Sequence, residues 1–62
     1  MNIVEVEKII NHFLNCVNVA DLAKNTVITF TDDKYITGTT DCIEGTKIFI
    51  INADTKRIIS WV

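Results

Sequence analysis

The sequence predicts an α+β fold: one N-terminal amphipathic helix packed on a three- to four-stranded antiparallel sheet, in the order α-β-β-β-β, completed by oligomerisation. Three observations predict it. Apolar residues recur at helical spacing over the first 17 positions, β-branched residues dominate from Thr26 onward, and the pairs Asp32-Asp33 and Asp54-Thr55 punctuate that second part as turns.

The helix comes first. At about 100° per residue, Ile3, Val6, Ile9, Ile10, Phe13, Leu14, Cys16 and Val17 fall within one arc of about 160°. Only Val4 breaks the pattern. Asn2 followed by Glu5 reads as a capping box, and Asn18 as a stop, because Asn tolerates the left-handed conformation common just past a helix end. Extension further would carry Asp21 onto the apolar stripe. The helix therefore ends near residue 17 or 18, with residues 20 to 24 adding at most one loose turn.

The strands follow. Thr26 to Thr31 alternates, with Ile28 and Phe30 on one face, and Lys34 to Thr40 returns after the Asp32-Asp33 turn. A loop of two or four residues aligns Phe30 with Tyr35, and a loop of three aligns it with Ile36. Gly38 marks a bulge or a sharp bend. Residues 41 to 45 form a loop, Thr46 to Ala53 a third strand and Arg57 to Val62 a fourth.

The last hairpin sets the expected assembly. With Asp54-Thr55 as a two-residue loop, Ile50 opposes Ile59 and Ile48 opposes Trp61 on one face, while Phe49, Ile51, Ile58 and Val62 share the other. A sheet with one wet face alternates apolar with polar. This hairpin is apolar on both, and one helix covers one. The second apolar face must meet a second subunit, the first hairpin curling over as a barrel, or a binding partner. The second subunit is favoured, and Phe49, Ile51, Ile58 and Val62 are the expected interface.

Length and composition agree with this. A chain of 62 residues makes one domain, residues 1 to 62, and hides only about 60% of its unfolded surface. Such domains usually need a disulfide set, a metal or a partner. Two cysteines, Cys16 and Cys42, are too few for a disulfide scaffold and read as reduced thiols of a cytoplasmic protein. The N-terminus carries acidic residues where a signal peptide carries basic ones, and no apolar run reaches the length of a membrane span. Eleven Ile, eight Thr and no Pro favour strands, and the Ile and Asn content suits an AT-rich genome such as that of a low-GC bacterium or its phage.

The formal charge of −2, from six basic and eight acidic residues, argues against a phosphate-backbone binder, which needs a basic stripe. His12 and Cys16 stand i, i+4 on the helix, with Cys42 as the remaining strong metal ligand. A zinc site needs three or four ligands. The same pair would make a thiol nucleophile only with a third orienting group, for which Glu5 and Asp21 are the nearest in kind. Asp32, Asp33, Asp41, Glu44 and Asp54 all fall in turns, where Asp serves the local backbone. Gathered at one end of the sheet, they would form an acidic rim for a basic partner. No catalytic set, metal or cofactor is expected. Tyr35, Thr37 and Trp61 are the expected ligand contacts if a base or small molecule is bound, with the aromatic rings stacking it.

From Thr26 on, VITFTDDKYITGT and CIEGTKIFIINADTKRIISWV after a helix resemble the Sm-like RNA-binding barrels, with Gly38 and Ile43-Glu44-Gly45 similar to that family's first motif. The resemblance implies an RNA or nucleotide site between subunits. The family's fifth strand and second RNA-contacting motif have no counterpart here. The residues point first to a non-enzymatic interaction protein that self-associates and inhibits or adapts a protein partner, possible in a phage or mobile element, and second to the Sm-like binder.

Overall fold

The computed structural model describes residues 1–17 and 21–62. Helix α1 (Ile3–Val17) leads into a four-stranded antiparallel meander: β1 (Lys24–Thr31), β2 (Tyr35–Cys42), β3 (Gly45–Asn52) and β4 (Arg57–Trp61), in that spatial order. The predicted α-β-β-β-β architecture is the observed one. The Asn18 stop lies outside the described residues.

Asn2 caps α1 as its sequence predicts: its Oδ1 accepts the Glu5 N–H at 2.9 Å, and its carbonyl accepts the first helical bond from Val6 at 3.1 Å. Glu5 in the first turn also complements the helix dipole. Val6, Ile10 and Leu14 point straight into the core, with Ile9 and Phe13 beside them. Cys16, at one margin of the predicted stripe, and Ile3, in the first turn, stay exposed. Asn11 Oδ1 on the helix accepts the Ala23 N–H at 2.8 Å, which holds the residue just before β1 against α1. The loose turn expected over residues 20 to 24 lies partly outside the described residues; residues 21 to 23 carry no turn, and β1 starts at Lys24, two residues earlier than expected.

The first hairpin follows neither expected register. Phe30 pairs with Thr37 and Thr31 with Ile36 around a two-residue Asp33-Lys34 loop. Asp32 closes it: its Oδ1 accepts the N–H groups of Lys34 and Tyr35, both at 2.8 Å, and its own N–H donates to the Tyr35 carbonyl at 3.0 Å. The register slips between Ile28 and Phe30, which places Phe30 on the side of the sheet away from the helix while Ile28 packs against the core. Gly38 lies opposite Ile28 at this slip. A Cβ there would collide with the Val27 carbonyl oxygen and stand 2.7 Å from Phe49 Cζ.

The loop expected over residues 41 to 45 is shorter. Cys42 pairs with Gly45 across Ile43-Glu44, and Gly45 takes a φ of 114°, which glycine adopts without strain. Asp21 is buried beneath this turn, its Oδ1 accepting the Ile43 N–H at 3.1 Å.

The last hairpin starts in the expected register, with Asn52 opposite Arg57 and Ile51 opposite Ile58. The connection is the four residues Ala53 to Lys56 instead of two. Asn52 Oδ1 accepts from Asp54 and Thr55, and the Asn52 carbonyl accepts from Lys56. A slip at Ile59 then corrects the prediction. Trp61 pairs with Phe49 instead of Ile48, and Val62 exchanges backbone hydrogen bonds with Ile48 at 2.9 and 3.0 Å. One extra residue moves every later side chain to the opposite face.

The helix covers the face that carries Ile36, Phe49 and Ile51, which are almost wholly buried with Val6, Ile10 and Leu14. The backbone of α1 approaches β1 and β4 more closely than the central strands, so the sheet curls around it. Phe49, Ile51 and Ile58 are therefore core residues of one molecule and not the open interface predicted for them. Of the four, only Val62 is exposed, at 70%.

Candidate interaction surface

The face turned away from the helix is the uncovered one. Strand alternation and the two slips bring Val27, Thr39, Ile48 and Val62 into one row and Phe30, Thr37, Ile50 and Ile59 into the next. Phe30 is 60% exposed, Ile59 55% and Ile48 50%, against 0% for Phe49 one position along the same strand as Ile48. Ile50 and Ile59 share this face as expected, but Ile50 pairs with Ser60, and Ile59 is the extra residue of the slip.

At one corner, Phe30, Asp32, Tyr35, Thr37, Ile50 and Ile59 surround a hollow of about 220 Å³. Tyr35 and Thr37, two of the expected ligand contacts, meet here. Trp61, the third, does not. It lies on the helix side, its ring 5.0 Å from that of Phe13 and tilted by 49°. Tyr35 and Trp61 stand on opposite faces and cannot sandwich one base.

Two carboxylates bound the apolar rows. At one end, hydrogen bonds from the Tyr35 and Lys34 N–H groups hold the Asp32 carboxyl below its ordinary range. At the other, Asp41 accepts from Thr46 Oγ1 at 2.7 Å and Asn25 Nδ2 at 3.1 Å, which lower its pKa likewise. Donors to the charged form favour it. Asp32, Asp41 and Asn52 thus serve their own turns, as the turn preference of Asp predicts. Asp32, Asp33 and Asp54 lie at the end that holds the β1–β2 and β3–β4 turns, and Asp41 and Glu44 at the other, so the five do not gather into a single acidic rim.

A second concavity runs between α1 and β4. Ile9, His12, Phe13 and Cys16 from the helix face Lys56, Arg57 and Ile58 across a groove of about 420 Å³. Sequence reasoning brought His12 and Cys16 together on the helix, and they do share this wall. It missed Lys56 and Arg57, whose place beside the helix depends on the packing of α1 along β4. Cys16 and Cys42 are unbridged, and among the described residues no three His, Cys, Asp or Glu side chains converge to hold a metal. Among the same residues no helix is long and apolar enough to cross a membrane. Comparison of the chain with family models, with curated proteins and with solved structures gives no match.

Proposed function

We propose that this chain is a small non-enzymatic interaction protein that pairs with a second copy through the outer face of its sheet and, as that oligomer, binds a partner protein and inhibits or adapts it. One observation carries the reading: Val27, Phe30, Ile48, Ile59 and Val62 lie together on one face, each at least half exposed. Scattered apolar residues on a surface need no explanation, but a contiguous patch marks an interaction site.

The magnitudes set what kind of pairing to expect. A face-to-face contact removes the exposed parts of these side chains from water on both copies, worth on the order of 10 kcal/mol at the usual apolar coefficient. Association costs about 4–15 kcal/mol in lost freedom of motion. The pairing is therefore reversible and concentration-dependent.

The nucleotide- or RNA-binding alternative draws less support. Its remaining contacts, Tyr35 and Thr37, line a hollow whose charged member is Asp32, which repels a phosphate.

Light scattering across a concentration series tests the proposal. The wild type is expected to rise toward twice its monomer mass of 7.0 kDa. The variant Phe30→Lys/Ile48→Lys should stay at the monomer mass with an unchanged circular dichroism spectrum. A wild type that stays at the monomer mass at every concentration overturns the self-association.

A further inference from the structure

We propose that the groove between α1 and β4 binds an extended, acidic peptide segment of a partner protein, which adds to the β4 edge as one more strand. The inference concerns a surface other than the outer face and stands whether or not that face pairs.

The groove has a direction. Glu5 meets Lys56 at one end, Oε2 to Nζ at 3.8 Å, and Phe13 meets Trp61 at the other, so α1 runs alongside β4 in the same sense. Between these contacts Ile9, Phe13 and Ile58 give an apolar floor. β4 is the last strand of the sheet, and on its far side no strand is hydrogen-bonded to it among the described residues. An edge of this kind offers a row of backbone donors and acceptors to an incoming chain, while pockets beside it take alternate side chains.

The charge at the groove selects the segment. The chain is acidic overall, yet two of its six basic residues, Lys56 and Arg57, stand side by side on this wall, with His12 opposite. The turn puts them there: Asn52 gathers the backbone of Asp54, Thr55 and Lys56, and Lys56 takes a left-handed φ of 58° before the strand begins at Arg57. The nearest helix carboxylate, Glu5, makes only a long, exposed ion pair with Lys56. Such pairs are weak and readily exchanged. A ligand carboxylate set between Lys56 and Arg57 gains two cations and displaces little. The occupant that fits is an extended segment with apolar side chains at alternate positions and Asp or Glu near one end.

The opposite edge does not offer the same site. β1 is broken twice in register, and Asn25 within it has a φ of 52°. Bulges of this kind spoil an edge for strand addition. β4 carries one slip against the two of β1, at Ile59, so the added strand pairs along the part before it, Arg57 and Ile58, which lines the groove.

Fluorescence anisotropy with a labelled synthetic peptide alternating valine with glutamate tests the proposal, with a peptide alternating valine with lysine as the control. The acidic peptide should bind saturably and the basic one should not. Lys56→Glu/Arg57→Glu should weaken binding about tenfold or more, as loss of paired charges at an interface does. Lys56→Gln/Arg57→Gln should give a smaller loss in the same direction if the charge reversal disturbs the turn. The outer-face variant Phe30→Lys/Ile48→Lys should bind the acidic peptide as the wild type does, which separates this site from the self-association. Backbone amide shifts should move along residues 9 to 16 and 56 to 61. Equal affinity for both peptides, no saturable binding, or shifts centred on Thr37 and Ile48 would each overturn it.

Discussion

The two faces of the sheet draw on nearly the same kinds of side chain and meet opposite surroundings. Ile36, Phe49 and Ile51 are sealed under α1, while Phe30, Ile48 and Ile59 stand half or more in water on the far side. Phe49 and Ile48 are neighbours in the chain. What separates them is register and the shape of the residue opposite: Gly38 leaves room for the Phe49 ring, and the slip at Ile59 brings Trp61 across to join it. Both faces carry apolar side chains. Pairing decides which of them is closed within one molecule and which stays open.

The largest expected effect tests the closed face. Phe49→Ala removes a fully buried ring from the centre of the core and should destabilise by about 3–5 kcal/mol. A domain this small has about that much to lose, so the variant should be unfolded or loosely packed by near-UV circular dichroism. Phe30→Ala, the same substitution on the open face, should change the denaturation midpoint of the single molecule by no more than about 0.5 kcal/mol and act instead on mass in solution. Equal unfolding of the two variants would break the contrast between the faces.

Gly38→Ala sharpens the same contrast from the side of the backbone. Its methyl would collide with the Val27 carbonyl oxygen and press on Phe49 Cζ, so either β1 must shift or the core ring must move. We expect a loss of about 1–3 kcal/mol by urea denaturation, the range for overpacked cores. Gly45→Ala meets no neighbour and should cost only the strain of its positive φ, about 1–2 kcal/mol. A Gly38 variant more stable than the Gly45 one would mean that the close approach of β1 does not shape the closed face.

Much of this arrangement was legible in the residues, and the part that was not has a definite cause. The α1 stripe, its Asn2 cap and the existence of turns at Asp32-Asp33 and Asp54-Thr55 follow from spacing and side-chain chemistry, which are local. The two apolar faces of the last hairpin were equally plain. Their assignment turned on single extra residues, near Thr29 in β1 and at Ile59 in β4. A bulge has no composition of its own: Ile58-Ile59-Ser60 reads as regular strand, and nothing in it says that Trp61 will follow Phe49 and not Ile48. The same holds for the groove, since Lys56 and Arg57 stand beside the helix only because α1 packs along β4, a contact far from them in the chain. Asp21 was legible as unfit for the apolar stripe, but its role under the Ile43 turn depends on a contact 22 residues away.

The helix makes one face closed, so weakening the helix alone should loosen that face without touching the other. Asn2→Ala deletes the hydrogen bond to the Glu5 N–H and should cost about 1 kcal/mol, with amide exchange rising first in the turn from Ile3 to Glu5. The outer rows do not contact this cap, and self-association should persist wherever the variant is folded. Loss of self-association at unchanged helicity would tie the outer face to α1 after all.

The smallest effect lies at the rim of the open face and depends on pH. Backbone donors from Tyr35 and Lys34 hold the Asp32 carboxyl below its ordinary 3.8. The folded chain then binds that proton less readily than the unfolded one, so the carboxylate contributes stability that is complete above about pH 4 and fades as pH falls toward the lowered value. Asp41, lowered by Thr46 and Asn25, acts in the same direction and window. Asp32→Asn keeps an acceptor for both N–H groups and removes the titration. Its urea midpoint should lie slightly below the wild type at neutral pH and converge with it in acid. Superposed curves across the whole acid range would mean that the Asp32 turn closes the hairpin by geometry alone, with the carboxylate charge adding nothing.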